Sequence, residues 1–133
     1  MKGFLKVSTK SQYALMLLSY IASCDGRVVS LSEISKKERI SHGYLEEIVS
    51  SLKKFGILSS KAGRSGGYFL LKSPYNIKIS DIVNIFEGDT APVKCLSGQK
   101  CAKEKGCKTK FIWRSLKESV DKTLNSIKLA DIL

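Results

Sequence analysis

The sequence predicts a mainly α-helical, winged helix-turn-helix fold with a small β-hairpin wing and a long C-terminal dimerisation helix. Three observations predict it. Two short helical patterns, Leu31–Glu38 and His42–Phe55, are separated only by the turn Arg39-Ile40 and the capping Ser41. Directly after them, two short runs of aliphatic and aromatic residues flank the turn Ala62-Gly63-Arg64-Ser65-Gly66, as in a hairpin. Near the end of the chain, Ile112, Trp113, Leu116, Val120, Leu124 and Ile127 recur at three- and four-residue steps.

Size and charge agree with this outline. A chain of 133 residues fits one compact domain with a core that needs no disulfide staples. Its 23 Lys and Arg against 12 Asp and Glu give a net charge of +11, which favours a polyanionic partner, with nucleic acid the first expectation. Met1–Lys10 contains no apolar stretch of signal-peptide length, and the most apolar run, Tyr13–Ala22, is too short to span a bilayer. A cytoplasmic setting with no membrane partner is therefore expected. There the four cysteines are reduced ligands or core thiols rather than disulfides.

In chain order, Ser8 is placed to cap a helix over Thr9–Cys24, with Tyr13, Met16, Leu17, Tyr20 and Ile21 as its apolar face and Asp25-Gly26 as its stop. Ser30 caps Leu31–Glu38, where Leu31 and Ile34 face inward. Ser41 caps His42–Phe55, in which Tyr44, Leu45, Ile48, Val49 and Leu52 return at helical spacing before Gly56 ends the run. Ile57–Lys61 and Gly67–Lys72 are the strands of the wing. Pro74 and Asn76 break the chain. A short helix over Asp81–Glu87 is expected to be capped by Ser80 and stopped by Gly88, and a loop occupies residues 89–106. The final helix, about Thr109–Ile127, carries a stripe that predicts a homodimer built on it. Functionally this divides the chain into a DNA-binding region over 1–88, a cysteine-bearing loop over 89–108, and a dimerisation helix with its tail over 109–133.

A helix-turn-helix sets the start of its second helix into the major groove of double-stranded DNA. Ser41, His42, Tyr44, Glu46 and Glu47 occupy that start. Ser41 and the free N–H groups beside it suit a phosphate, and Glu46 or Glu47 suits a cytosine amino group. The competing reading is a packing helix with a solvated acidic face, since paired glutamates repel phosphate unless one reads a base. At the wing, Lys61 and Arg64 supply charge and the glycines let the backbone come close to DNA. Those glycines also serve the turn's own dihedral angles.

Cys95, Cys101 and Cys107 fall at a Cys-x5-Cys-x5-Cys spacing among Lys94, Lys100, Lys103, Lys105, Lys108 and Lys110. Thiolates so placed can converge on one cluster or metal ion. The surrounding lysines lower thiol pKa values and offset a thiolate cluster's negative charge. Structural zinc usually takes four protein ligands, often in Cys-x2-Cys pairs, and the chain has no such pair. Three unconnected loop thiols are the bland alternative. Cys24 closes an apolar helix face and reads as a core thiol. With a single histidine, His42, the chain offers no nucleophile–base constellation, so catalysis is not expected.

These residues resemble the IscR/NsrR/CymR family of bacterial winged-helix regulators over nearly the whole chain. The resemblance is carried by Val7-Ser8-Thr9-Lys10-Ser11-Gln12-Tyr13-Ala14-Leu15, Ile40-Ser41-His42-Gly43-Tyr44-Leu45-Glu46-Glu47-Ile48, Gly63-Arg64-Ser65-Gly66-Gly67-Tyr68 and Ile127-Lys128-Leu129-Ala130-Asp131-Ile132-Leu133. It implies a homodimer on a roughly palindromic operator. It further implies an iron–sulfur cluster, 2Fe-2S or 4Fe-4S, on Cys95, Cys101 and Cys107, whose state changes DNA affinity. It places Ser41, Tyr44, Glu46, Glu47 and Arg64 at DNA-contacting positions.

The chain departs from the family pattern at three places. Lys110 stands where IscR-like members have a histidine ligand, and Gln12 where some NsrR-like members have an aspartate from the partner subunit. Ala62 replaces a common wing arginine. The fourth ligand is thus open among Glu104, Asp89, Gln12, a backbone group and an exogenous thiol. The expectation is an iron–sulfur-dependent transcriptional regulator, in the repressor sense, responding to cluster status, nitric oxide or redox state. The alternatives are a thiol- or zinc-switched DNA-binding regulator and a basic protein-interaction module.

Overall fold

A computed structural model describes residues 6–88, 91–93, 96, 98 and 106–133. Helix α1 spans Thr9–Ser23, α2 Leu31–Glu38 and α3 His42–Lys54; strands β1 and β2 are Leu58–Lys61 and Gly67–Leu70; α4 is Ile79–Glu87 and α5 Lys110–Ser126. Short 3-10 turns cover Pro74–Asn76 and Leu129–Ile132. The mainly α winged helix-turn-helix expected from the sequence is the fold found.

The first three helices begin where their serines direct. Ser8, Ser30 and Ser41 each accept, through the side-chain oxygen, the N–H of the residue three positions on, at 3.2 Å in all three cases. Each satisfies one of the donors a helix start leaves unpaired, and a cap of this kind contributes about 1 kcal/mol.

Helix α1 is the centre of the molecule, packing against α2, α3, α4, β2 and the C-terminal turn. Its buried apolar face is Ala14, Leu17, Leu18 and Ile21. The expected face was rotated from this: Met16 is exposed, and Tyr13 and Tyr20 are half-buried at the edges. Tyr20 keeps its hydroxyl on Glu33 and Tyr13 sets its ring against Tyr44 while the aliphatic groups fill the interior. Ile34 of α2, Leu45, Ile48 and Leu52 of α3, Leu58 of β1 and Ile82 of α4 complete one continuous core.

The hairpin pairs antiparallel, with Leu58 opposite Leu70 and Lys61 opposite Gly67. A third rung comes from Val29, ahead of α2, which exchanges two backbone hydrogen bonds with Tyr68 at 2.8 and 2.9 Å. The wing is thereby tied to the entrance of the helix-turn-helix.

Helix α4 starts earlier than the sequence suggests, and Ser80 is not its cap but a buried first-turn residue. The tail explains the difference. The Ile127 carbonyl accepts the Ile79 N–H at 2.9 Å, Leu129 donates to the Ile77 carbonyl at 2.8 Å, and Lys78 pairs with Lys128. The Asp81 carboxylate accepts the Lys78 N–H at 3.1 Å. The C-terminal tail thus supplies a helix-start acceptor that local sequence cannot reveal.

Candidate nucleic-acid interface and cysteine segment

The turn between α2 and α3 is fixed from within. Ser35 donates its hydroxyl to the Ile40 carbonyl at 2.6 Å, and the Ile40 side chain is buried. Arg39 closes α2 in the left-handed conformation, with φ of 55°. From there α3 buries Leu45, Ile48, Val49 and Leu52 and turns His42, Gly43, Glu46, Glu47, Ser50, Lys53 and Lys54 outward. An exposed helix face of this kind is what a DNA groove receives.

The residues singled out on this helix divide by what they touch. Ser41 is exposed and already serves as the cap. His42 and Glu46 meet across one turn, Nδ1 to Oε1 at 3.0 Å, and Glu47 faces Lys10 of α1 at 3.6 Å. Both glutamates are therefore engaged by side chains of the chain itself, and the Lys10 charge reduces the repulsion of phosphate by Glu47. Tyr44 is half-buried, its ring edge-on to Tyr13 with centroids 5.5 Å apart, so part of its role is to seat α3 on α1. An open groove of about 430 Å3 runs between α3 and the wing, lined by Glu46, Val49, Ser50, Lys53, Lys54 and Tyr68.

Lys61 and Arg64 are both exposed on the wing, as is Ala62. The tip is closed by the Gly66 N–H donating to the Gly63 carbonyl at 3.0 Å, with Gly63 at φ 103°. A side-chain carbon at Gly67 would sit 2.3 Å from the Val29 carbonyl oxygen, so glycine there is a condition of the wing's attachment. Lys53 donates to the Ser60 hydroxyl at 2.9 Å, joining the last turn of α3 to β1. The sequence marks Gly67 as a wing glycine but not its close approach to Val29, and it gives Lys10 and Lys53 no roles. Those roles depend on contacts between separate elements, which leave no local pattern.

Of the three cysteines, Cys107 lies within the described residues; Cys95 and Cys101 lie outside them, as do Asp89 and Glu104. Cys107 is half-buried just ahead of α5, its sulfur 3.4 Å from the Thr109 hydroxyl. That hydroxyl, then the backbone N–H groups of Thr109 and Lys110, hold its thiol below the ordinary cysteine range, against a smaller opposing effect of burial. A sulfur biased toward thiolate has the chemistry of a metal or cluster ligand. Gln12 is exposed and donates its amide to the Val7 carbonyl at 3.2 Å, and Lys110 opens α5. Among the described residues no group of three metal-binding side chains comes together.

Cys24 is half-buried at the end of α1, packed against the core rather than enclosed by it. Its sulfur accepts from Arg27 at 3.2 Å, and Arg27 also grips both carboxylate oxygens of Glu33 at 2.9 and 2.7 Å. Tyr20 donates to the same carboxylate at 2.5 Å.

A capped helix-turn-helix tethered to a basic, glycine-tipped wing is the architecture of a DNA-binding transcriptional regulator. The chain belongs to the Rrf2 family, described as an iron-dependent transcriptional regulator, whose profile matches residues 7–133. It is 33% identical to the HTH-type transcriptional regulator CymR of Bacillus subtilis over 96% of this chain and 89% of that one. The structure described as CymR (YrzC), the global cysteine regulator of B. subtilis, superposes with a TM-score of 0.83 at 32% identity, covering 96% and 95% of the two chains. IscR of T. potens superposes with a TM-score of 0.76 at 35% identity, covering 96% and 85%.

Proposed function

We infer that this chain is a cytoplasmic repressor that binds a palindromic operator as a homodimer and senses iron–sulfur status, nitric oxide or redox state through a cluster on Cys95, Cys101 and Cys107. The observation that carries the reading is the regular spacing of the three cysteines, the last of which, Cys107, is a free, half-buried thiol at the threshold of α5 with its sulfur 3.4 Å from the Thr109 hydroxyl. A bound cluster supplies iron and sulfide that react with oxidants and nitric oxide. The protein's part is to hold it with thiolates and to link its segment to the DNA-reading helix. The functional division is a DNA-binding region over 1–88, a ligand segment over 89–108 and a dimerisation segment over 109–133.

Helix α5 supports the dimer. None of its residues is fully buried, and Phe111 and Ile112 are 74% and 53% exposed. Its inner side meets α4, where Lys117, Asp121 and Leu124 face Ser80 and Asn84. An amphipathic helix covered on one side only is suited to a second copy of itself. On DNA, Ser41, His42, Tyr44, Glu46 and Glu47 take the major groove, while Lys61 and Arg64 take phosphates or the minor groove.

The test is metal analysis and absorption of anaerobically purified protein. Iron and sulfide in near-equal amounts, with colour lost in Cys107→Ala, is the expected result. Colourless protein after anaerobic reconstitution overturns the cluster. Zinc, or no metal with titratable thiols, selects the second reading, a thiol- or zinc-switched regulator. That reading draws on the same lowered thiol of Cys107 and on the likeness to the CymR structure described as a cysteine regulator.

A further inference from the structure

Two residues in the helix-turn-helix stand where the chain's own folding preferences ask for something else. Nine glycines lie among the described residues. Gly26, Gly56, Gly63, Gly67, Gly88, Gly98 and Gly106 have positive φ, and a side chain at Gly66 would strike the Lys61 carbonyl at 2.2 Å. Gly43 alone has neither reason. It sits in the first turn of α3 with ordinary helical backbone, and a Cβ built there meets nothing within 4 Å. Glycine in a helix is less favourable than alanine, so the free protein loses stability by keeping it.

Four residues earlier the mismatch is reversed. Arg39 holds φ of 55°, a left-handed position where glycine is unstrained and a long side chain is not. Its side chain is exposed and has no hydrogen-bond or ion-pair partner among the described residues. Glycine is thus missing from the position that favours it and present at one that does not. Both positions flank Ser41, the cap of the helix that faces DNA, and Gly43 shares the outward stripe of Glu46, Glu47 and Ser50.

We propose that Arg39 and Gly43 are a matched DNA-contacting pair, Arg39 binding a backbone phosphate and Gly43 leaving clearance for the groove wall against the first turn of α3. The inference rests on the DNA-binding reading and assigns two contacts within it. An arginine on a phosphate adds affinity that falls with salt, because it displaces a condensed counterion. A missing Cβ acts through shape, so its effect is independent of salt.

The probe is a labelled duplex of about 30 base pairs, long enough for two half-sites, carrying the sequence that the wild-type protein selects from a random pool. Arg39→Gly and Gly43→Ala are measured for affinity across a salt series and for thermal midpoint. Arg39→Gly is expected to weaken binding about tenfold and to lower the salt slope by about one, with Arg39→Lys restoring the slope. Gly43→Ala is expected to weaken binding about tenfold at unchanged slope, and Gly43→Val further still. The thermal midpoint should hold or rise in Arg39→Gly and in Gly43→Ala. Unchanged affinity in either variant overturns the pairing, and so does a falling midpoint, which would show that the residue serves the fold. If the wild-type protein selects no sequence at all, the DNA-reading account fails first and the pair with it.

Discussion

The Glu87 carboxylate holds the amino end of α1: its two oxygens accept the Ser8 N–H at 2.9 and 3.2 Å, and one of them also accepts the Ser11 hydroxyl at 3.1 Å. Ser11 is fully buried, so the carboxylate is the partner that makes its burial tolerable. Glu87 is the last residue of α4, and α1 carries Lys10 and Tyr13, which touch α3. The end of α4 is therefore connected to α3 through the first turns of α1. Glu87→Ala should destabilise the protein by about 1–3 kcal/mol, since hydrogen bonds to a charged group are lost and the buried Ser11 hydroxyl loses its acceptor. Urea unfolding checks this, and Glu87→Gln should lose less.

The wing's attachment depends on the empty space at Gly67. Gly67→Ala drives a methyl group into the Val29 carbonyl and should break the exchange between Val29 and Tyr68. Overpacking of this kind costs about 1–3 kcal/mol. Its effect on operator affinity should exceed that of Ala62→Gly, which changes an exposed tip residue. Equal affinities for the two variants would show that the tether is dispensable for DNA binding.

Most of this framework is legible in local sequence. Ser8, Ser30 and Ser41 as caps, the helical spacing of Leu45, Ile48, Val49 and Leu52, and the glycine-rich hairpin are all short-range signals, and each sits where it is read. The misses share a cause. The start of α4 depends on the Ile127 carbonyl, the inward face of α1 on what surrounds it, and the grip of Glu87 on a residue 79 positions away. Contacts of that kind leave no periodic trace. The exposed face of α3 follows from its helical spacing, whereas the pairing of Glu46 with His42 and of Glu47 with Lys10 depends on how the elements pack.

The tail provides a stability test. Leu129 is fully buried and follows the backbone bridge between Lys78 and Lys128. Leu129→Ala should cost about 2–5 kcal/mol through lost burial and the cavity left behind. Truncation before Ile127 should cost more, because the Ile79 N–H loses its acceptor as well. Thermal denaturation of both variants checks the order.

Acid stability should be governed in part by Glu33. Its hydrogen bonds, first from Arg27 and then from Tyr20, bring its pKa down from 4.5 to about 2. A carboxyl whose pKa is depressed by folding adds stability above the unfolded value and loses it as pH falls through the folded one. The contribution is therefore complete above about pH 4.5 and disappears toward pH 2. Glu33→Gln should flatten the fall in stability across that window, measured by denaturant midpoint at successive pH values. An unaltered slope would remove this role.

The most direct measurement of the central claim is operator affinity on one anaerobic sample, first with the cluster intact and then after its iron has been removed by a chelator or modified by nitric oxide. The account predicts a change of about tenfold or more between the two states, the size of an ordinary coupling between sites. It also predicts that the change vanishes in Cys107→Ala. The same affinity before and after treatment of the wild-type protein would contradict it.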